Sequence, residues 1–176
     1  LQTWLNKLDE TTLDENDLDY MGFCGDMASG SASEESFWNY AQTMLTTVKN
    51  SSLIDDNDNG CIYTTGNHEY SNGRYSTTTY ATADSITRIG KAVEDDNFII
   101  YCFGAASGSQ QFTDGDIKAL SDYLATAPKN IPIIILSHFP IHYYPGRTTG
   151  NASALIDALN AAKHPNIIFL WGHNHT

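Results

Sequence analysis

Four short polar blocks in the sequence contain residue types that can bind metals or transfer protons. In chain order they are Gly25-Asp26, Gly66-Asn67-His68-Glu69, Ser137-His138-Phe139-Pro140 and Gly172-His173-Asn174-His175. Each block directly follows a β-rich apolar run, so we expect its functional groups on a loop just past the end of a strand. If these strands share a sheet, a carboxylate, an amide oxygen and several imidazoles converge at one edge. That ligand set suits Mn, Fe, Zn or Co.

Each block taken alone also has a structural explanation. The Gly25-Asp26 pair is a common turn signal, and Asn67 after a glycine is typical of a turn. His138, before an apolar residue and a proline, is more often a structural histidine than a ligand. His173 and His175 are stronger evidence, because histidines two apart in an extended segment point to opposite sides and can serve different metals. The occurrence of all four blocks in order favours a functional site.

Composition and charge exclude several classes of protein. The 176 residues are 41% hydrophobic, which predicts one folded domain over residues 1–176. The net charge of −12 makes nucleic acid an unexpected partner. No apolar run approaches the roughly twenty residues of a membrane span, so we expect a soluble chain. No signal peptide is visible, so the sequence does not indicate a compartment. It does not indicate an oligomeric state either.

The three cysteines do not have the spacing of a metal or disulfide framework. Cys24, Cys61 and Cys102 lie far apart and form no C-x-x-C pair. Each occurs in an apolar stretch, so we expect small buried hydrophobic residues.

The elements that must position the polar blocks alternate between strands and helices. Apolar runs predict strands over residues 20–24, 61–65, 98–103, 131–137 and 167–171. Helical spacing of apolar residues predicts helices over residues 1–8, 37–48, 83–93, 113–124 and 153–163. Capping patterns place helix starts at Ser31, with Glu34 three residues on, and at Thr113, with Asp116. Such alternation predicts a layered α/β domain.

Together the blocks resemble the signature of the calcineurin-like metallophosphoesterases, which runs D-x-H, G-D, G-N-H-[D/E], H, G-H-x-H. The resemblance spans residues 20–175. It implies a layered α/β/β/α sandwich that holds two divalent metal ions of the Mn, Fe, Zn or Co type. It also implies hydrolysis of a small phosphorylated substrate, a phosphomonoester or a phosphodiester, by a bridging hydroxide.

The resemblance also assigns roles to particular residues. It implies five metal ligands, which are Asp26, Asn67, His138, His173 and His175. Asp26 would bridge both metals, His175 would serve the first metal, and the other three would complete the second site. His68 resembles the family's non-ligand histidine, which donates a hydrogen bond or a proton to the leaving oxygen. Glu69 would hold or polarise His68 as its partner.

Polar residues that follow two of the blocks are candidates for contact with the substrate. These candidates are Arg74, Tyr75, His142 and Arg147. The alternative is that they are ordinary solvent-exposed loop residues.

The sequence departs from the family signature at both ends. No Asp-x-His occurs in the chain, and Thr176 directly follows the last block, where the family continues with further strands. We therefore expect a fragment of a larger metallophosphoesterase, incomplete at both ends and able to hold at most one metal. The alternative is a catalytically silent domain that binds a metal or a phosphate, because the first metal lacks its Asp and His.

Overall fold

The computed structural model describes residues 18–51, 53–54, 60–71, 86–144 and 147–174. Three helices lie in these ranges: α1 (Glu34–Lys49), α2 (Asp114–Thr126) and α3 (Ala152–Ala162). The strands in these ranges are β1 (Met21–Phe23), β2 (Cys61–Tyr63), β3 (Ile89–Glu94), β4 (Ile99–Phe103), β5 (Ile133–Ser137), β6 (His142–Tyr144), β7 (Arg147–Thr148) and β8 (Ile167–Trp171). The helix predicted over residues 1–8 lies outside the described residues.

The longer strands form two sheets. Sheet A consists of the parallel pair β1 and β2, with Phe23 opposite Tyr63. Sheet B has the order β3-β4-β5-β8, in which β4, β5 and β8 are parallel and β3 is antiparallel to β4. Strands β6 and β7 form a separate antiparallel ribbon.

Three apolar layers hold the helices and sheets together. Tyr63 of sheet A packs in a cluster with α1, whereas its neighbour Ile62 packs with Leu136 of sheet B between the two sheets. On the opposite face of sheet B, Ile135 shares a cluster with Leu120 of α2 and with side chains of α3. Alternate strand residues point to opposite faces, so both sheets are covered on two sides. The predicted α/β/β/α sandwich is confirmed.

The helix starts depend on side-chain caps, one of which differs from the prediction. At α2 the Thr113 hydroxyl accepts a hydrogen bond from the Asp116 backbone N–H (3.1 Å), as expected. At α1 the cap is Ser33, which accepts from the Ser36 N–H at 3.2 Å. The prediction of Ser31 as the cap is therefore wrong by two residues, because Ser33 has the extended backbone that an N-cap requires.

The predicted helix over residues 83–93 is wrong in its described part. Residues 89–94 form β3, which pairs with β4 through a turn in which Asp95 accepts the backbone N–H groups of Asn97 (2.6 Å) and Phe98 (3.0 Å). Gly90 has a φ of +124°, which no right-handed helix contains. Pairing with β4 in this hairpin therefore overrides the local helical pattern.

Two further sequence expectations are tested by the described residues. Cys61 and Cys102 are buried as expected and Cys24 is half-buried, all as free thiols. None of the helices in the described ranges is long and apolar enough to cross a membrane.

Candidate metal centre

The four polar blocks meet at one end of the sandwich. Two follow β1 and β2 of sheet A, and two follow β5 and β8 of sheet B. The blocks are joined directly, since the backbone N–H of Gly172 donates to the carbonyl of His138 at 3.2 Å. The four strands lie in two sheets and not in one. The blocks converge because the two sheets pack face to face.

Two glycines allow the first two blocks to pack backbone against backbone. Gly25 has a φ of +82°, a conformation that glycine adopts at little cost. A Cβ atom on Gly25 would lie 2.1 Å from the backbone nitrogen of Gly66. A Cβ atom on Gly66 would lie 2.3 Å from Asp26 Oδ1 and 2.7 Å from His138 Cε1. Neither position has room for a side chain.

Four potential ligand atoms converge where these blocks meet. One ligand atom each from Asp26, His138 and His173 lies within 4.8 Å of the other two. His138 Nε2 is 2.9 Å from His173 Nδ1, 2.9 Å from Asn67 Oδ1 and 3.4 Å from Asp26 Oδ2. One carboxylate, one amide and two imidazoles thus surround a single point.

The hydrogen bonds of His138 show which of its ring nitrogens faces this point as a ligand. Its imidazole is fully buried, and Nδ1 lies 2.6 Å from the backbone carbonyl of Cys24. A carbonyl oxygen can only accept, so Nδ1 donates its proton there. The other ring nitrogen, Nε2, therefore faces Asn67 and Asp26. Its lone pair can bind either a proton or a metal ion.

Asp26 provides a second indication of a cation-binding site. Its Oδ1 accepts the backbone N–H of His68 at 2.8 Å, but its buried Oδ2 has no hydrogen-bond partner among the described residues. Buried polar atoms are rarely left without a partner unless an ion or water completes them. The residues present therefore fit a divalent cation of the type that accepts mixed nitrogen and oxygen ligands.

The electrostatic environment favours the charged form of this carboxyl group. Burial alone would raise the pKa of Asp26. The neighbouring imidazole of His138 and the backbone N–H of His68 outweigh that effect and hold the pKa of Asp26 below its ordinary value. Asp26 is thus prepared as an anionic ligand at neutral pH.

His68 lies beside this cluster and is oriented by a backbone carbonyl. Its Nδ1 is 3.0 Å from the carbonyl oxygen of Ala28 and 3.6 Å from Asp26 Oδ2. The carbonyl fixes the proton on Nδ1. The His68 side chain is 28% exposed, so its imidazole is open to solvent at the candidate centre.

Glu69 binds the backbone of the first two polar blocks. Its carboxylate is fully buried and accepts hydrogen bonds from the backbone N–H groups of Asp26, Met27 and Gly66 and from the hydroxyl of Tyr63. His68 Nδ1 lies beside the carbonyl of Ala28. The role of Glu69 in holding or polarising His68 stays a prediction.

Among the described residues, the remaining site predictions are only partly represented. His142 is exposed on β6 and is not a member of the described metal-ligating group. His175, Arg74 and Tyr75 lie outside the described residues, and for Arg147 the structure describes only the backbone. The roles assigned to these residues stay predictions.

Several groups at the site were not anticipated from the sequence. The backbone carbonyls of Cys24 and Ala28 orient the imidazoles of His138 and His68, respectively. These contacts cannot be predicted from residue types, because every residue has the same backbone carbonyl. Phe139 packs edge-on against His138 and His173, with ring centroids 4.9 and 5.0 Å apart. The aromatic ring limits the positions that the two imidazoles can take.

Fold and site together define a layered α/β sandwich of the metallophosphoesterase type, with a potential metal-binding cluster at the ends of its strands. The family model for the calcineurin-like phosphoesterases matches residues 1–176, which is the whole chain. The chain therefore belongs to the calcineurin-like phosphoesterase family. No curated protein matches it. Membership indicates metal-dependent hydrolysis of phosphoesters and the binding of divalent metal ions.

Proposed function

We propose that this protein hydrolyses small phosphoric esters with a divalent metal held by Asp26, Asn67, His138 and His173. The observation that carries the proposal is the convergence of their ligand atoms around His138 Nε2. One of these atoms, the buried Oδ2 of Asp26, has no hydrogen-bond partner in the described part of the chain. Family membership supports the same chemistry. The net charge of −12 argues against a nucleic acid as the substrate.

The donor set favours a borderline metal such as Mn, Fe, Zn or Co, because it combines imidazole nitrogens with carboxylate and amide oxygens. In the dinuclear centre that the resemblance implies for the parent protein, the divalent ions would supply a nucleophile from water at neutral pH and neutralise phosphate charge. Asp26 contributes the negative charge that holds the metal. The His138 imidazole is locked in place by the Cys24 carbonyl, so its ligand nitrogen needs little reorganisation to bind.

His68 is the residue that we propose for proton transfer. Its Nδ1 donates to the Ala28 carbonyl, so Nε2 is the ring atom that would hold or deliver a proton at the leaving-group oxygen. A general acid so placed accelerates a reaction by about 10²–10⁴-fold. Among the described residues, His68 is the histidine beside Asp26 that does not belong to the metal-ligating group.

A second candidate function is a silent domain that binds a metal or a phosphate without hydrolysis. The observation that favours it is that the printed sequence contains no Asp-x-His. Asp26 and His175 alone leave a second metal with few ligands, so we propose that this chain by itself holds one metal ion.

An assay of ester hydrolysis with Mn²⁺ separates the two functions. The substrates are p-nitrophenyl phosphate and bis(p-nitrophenyl) phosphate, and the protein includes any residues that the gene encodes before Leu1. We expect Mn²⁺-dependent release of p-nitrophenol, lost in Asp26→Asn and strongly reduced in His68→Ala. His164→Ala is the matched control, because that imidazole bonds to the Pro128 carbonyl instead of to the cluster.

The outcomes of this assay point in different directions. Hydrolysis that needs Mn²⁺ and Asp26 supports the hydrolase. Bound Mn²⁺ without hydrolysis of either ester favours the silent binding domain. Hydrolysis that persists unchanged in Asp26→Asn would contradict the proposed site.

A further inference from the structure

The carboxylate of Glu69 lies at the centre of a buried set of hydrogen bonds that joins the first two polar blocks. Its Oε2 accepts the backbone N–H groups of Asp26 (3.0 Å) and Gly66 (2.7 Å), and its Oε1 accepts that of Met27 (3.1 Å). Two of these bonds connect residues that are far apart along the chain, since Glu69 is 43 residues from Asp26 and 42 residues from Met27. One side chain therefore fixes the backbone that carries the candidate ligand Asp26.

The hydroxyl of Tyr63 completes this set. It donates to Oε1 of Glu69, the same oxygen that accepts from Met27. Tyr63 is itself fully buried, and its ring packs in the cluster between sheet A and α1. A fully buried ring in a close-packed core has little freedom to move. The strand therefore presents the hydroxyl at a fixed position beneath the two blocks.

The backbone that Glu69 holds has an uncommon conformation at Asp26. Asp26 has a φ of +56°, in the left-handed region that few residues other than glycine occupy, although aspartate does so more readily than most. Such conformations persist where the surrounding structure over-determines them, and they cluster at functional sites. Here the N–H groups of Asp26 and Met27 are both bonded to the Glu69 carboxylate, which keeps the Asp26 side chain aimed at His138.

We propose that Tyr63 is a positioning residue of the metal centre: its hydroxyl orients the Glu69 carboxylate, which in turn fixes Asp26 in the geometry that binds the metal. The inference rests on the proposed function and deepens it, because it extends the centre to a residue that is not a ligand. Groups that orient metal ligands typically contribute roughly 10–100-fold to metal affinity.

The test is a titration of chelator-treated protein with Mn²⁺, in which the EPR signal of free Mn²⁺ reports the dissociation constant. We expect Tyr63→Phe, which removes only the hydroxyl, to weaken Mn²⁺ binding by roughly tenfold. Glu69→Gln should weaken it more, by up to roughly 100-fold. In the wild type, each carboxylate oxygen of Glu69 accepts at least one backbone N–H. Whichever way the Gln amide is turned, its NH₂ group replaces one of these oxygens, so at least one backbone N–H loses its acceptor. The control is Tyr123→Phe, since the buried Tyr123 hydroxyl has no hydrogen-bond partner in the described ranges.

The double variant distinguishes positioning from a general loss of stability. If Tyr63 acts through Glu69, the variant with both substitutions binds Mn²⁺ about as weakly as Glu69→Gln alone, because the hydroxyl no longer has a carboxylate to orient. The thermal midpoint of each metal-free variant is measured in parallel, and the titrations are performed well below it. A merely structural role would lower that midpoint but leave the dissociation constant of the folded protein unchanged.

Each result supports or overturns the inference. Weaker binding by Tyr63→Phe but not by Tyr123→Phe supports it. A Tyr63→Phe protein that binds Mn²⁺ as tightly as the wild type overturns it and leaves the metal centre intact. A wild type that binds no Mn²⁺ overturns the proposed function and the inference together.

Discussion

Gly66 packs directly against two of the candidate ligands, and the substitution Gly66→Ala tests this packing. The added Cβ atom would lie 2.3 Å from Asp26 Oδ1, 2.5 Å from the Asp26 backbone nitrogen and 2.7 Å from His138 Cε1. A carbon and an oxygen in contact are usually about 3.3 Å or more apart, so the overlap is about 1 Å. These neighbours have little freedom to move, because the Asp26 carboxylate is bonded to the backbone N–H of His68 and the His138 imidazole is fully buried.

We expect Gly66→Ala to lower the free energy of unfolding by about 2–3 kcal/mol, at the upper end of the cost of overpacking. Because the methyl group separates Asp26 from His138, Mn²⁺ affinity should also fall by at least roughly tenfold. Urea denaturation of the metal-free protein measures the first effect, and titration with Mn²⁺ measures the second.

Gly108→Ala is the matched control for this substitution. A Cβ atom on Gly108 meets nothing within 4 Å in the described structure, so its effect should stay within about 0.5 kcal/mol. If Gly66→Ala were as stable and bound Mn²⁺ as tightly as Gly108→Ala, the first two polar blocks would not pack as described.

Three further predictions concern other parts of the molecule. His68→Ala should reduce turnover by about 10²–10⁴-fold with unchanged metal content, which kinetics and elemental analysis measure together; a parallel loss of metal would show that His68 is a ligand. Burial raises the pKa of Cys61 to about 11 and that of Cys102 to about 12, so at pH 8 both thiols should react with Ellman's reagent roughly 90-fold or more slowly than in urea. Since these folded-state pKa values exceed the unfolded ones, the stability that they contribute should decrease as the pH rises above about 9, which denaturation across pH 8–11 measures. Arg88→Leu removes the two bonds of 2.8 and 2.9 Å to the largely buried Asp116 carboxylate; unfolding in urea should show a loss of about 2–3 kcal/mol, and a loss below about 0.5 kcal/mol would contradict the ion pair.

Much of the fold could be predicted because local patterns and tertiary packing agree. The apolar runs of β4, β5 and β8 have the length and composition of buried strands, and Thr113 with Asp116 caps α2 as predicted. The segment 89–94 differs from its prediction, because the helical spacing of its apolar residues competes with a hairpin that pairs it with β4 through the turn at residues 95–98. Strand formation depends on side-chain packing and pairing, which helical spacing alone does not report.

The candidate site shows the same division. The residue types and order of the polar blocks predicted that Asp26, Asn67, His138 and His173 come together, and the structure brings them together. The partner of Glu69 could not be predicted, because its bonds run to backbone N–H groups and such groups are the same for every residue type.

The central claim is that Asp26, Asn67, His138 and His173 hold one divalent metal ion. The most direct measurement is the number of Mn²⁺ ions bound per chain, determined by elemental analysis after chelator treatment, reloading at micromolar Mn²⁺ and gel filtration. We expect one ion per wild-type chain and a large loss in both Asp26→Asn and His138→Ala, with His164→Ala unchanged. A wild type that retains no metal, or metal retention that is unaffected by both ligand substitutions, would contradict the claim.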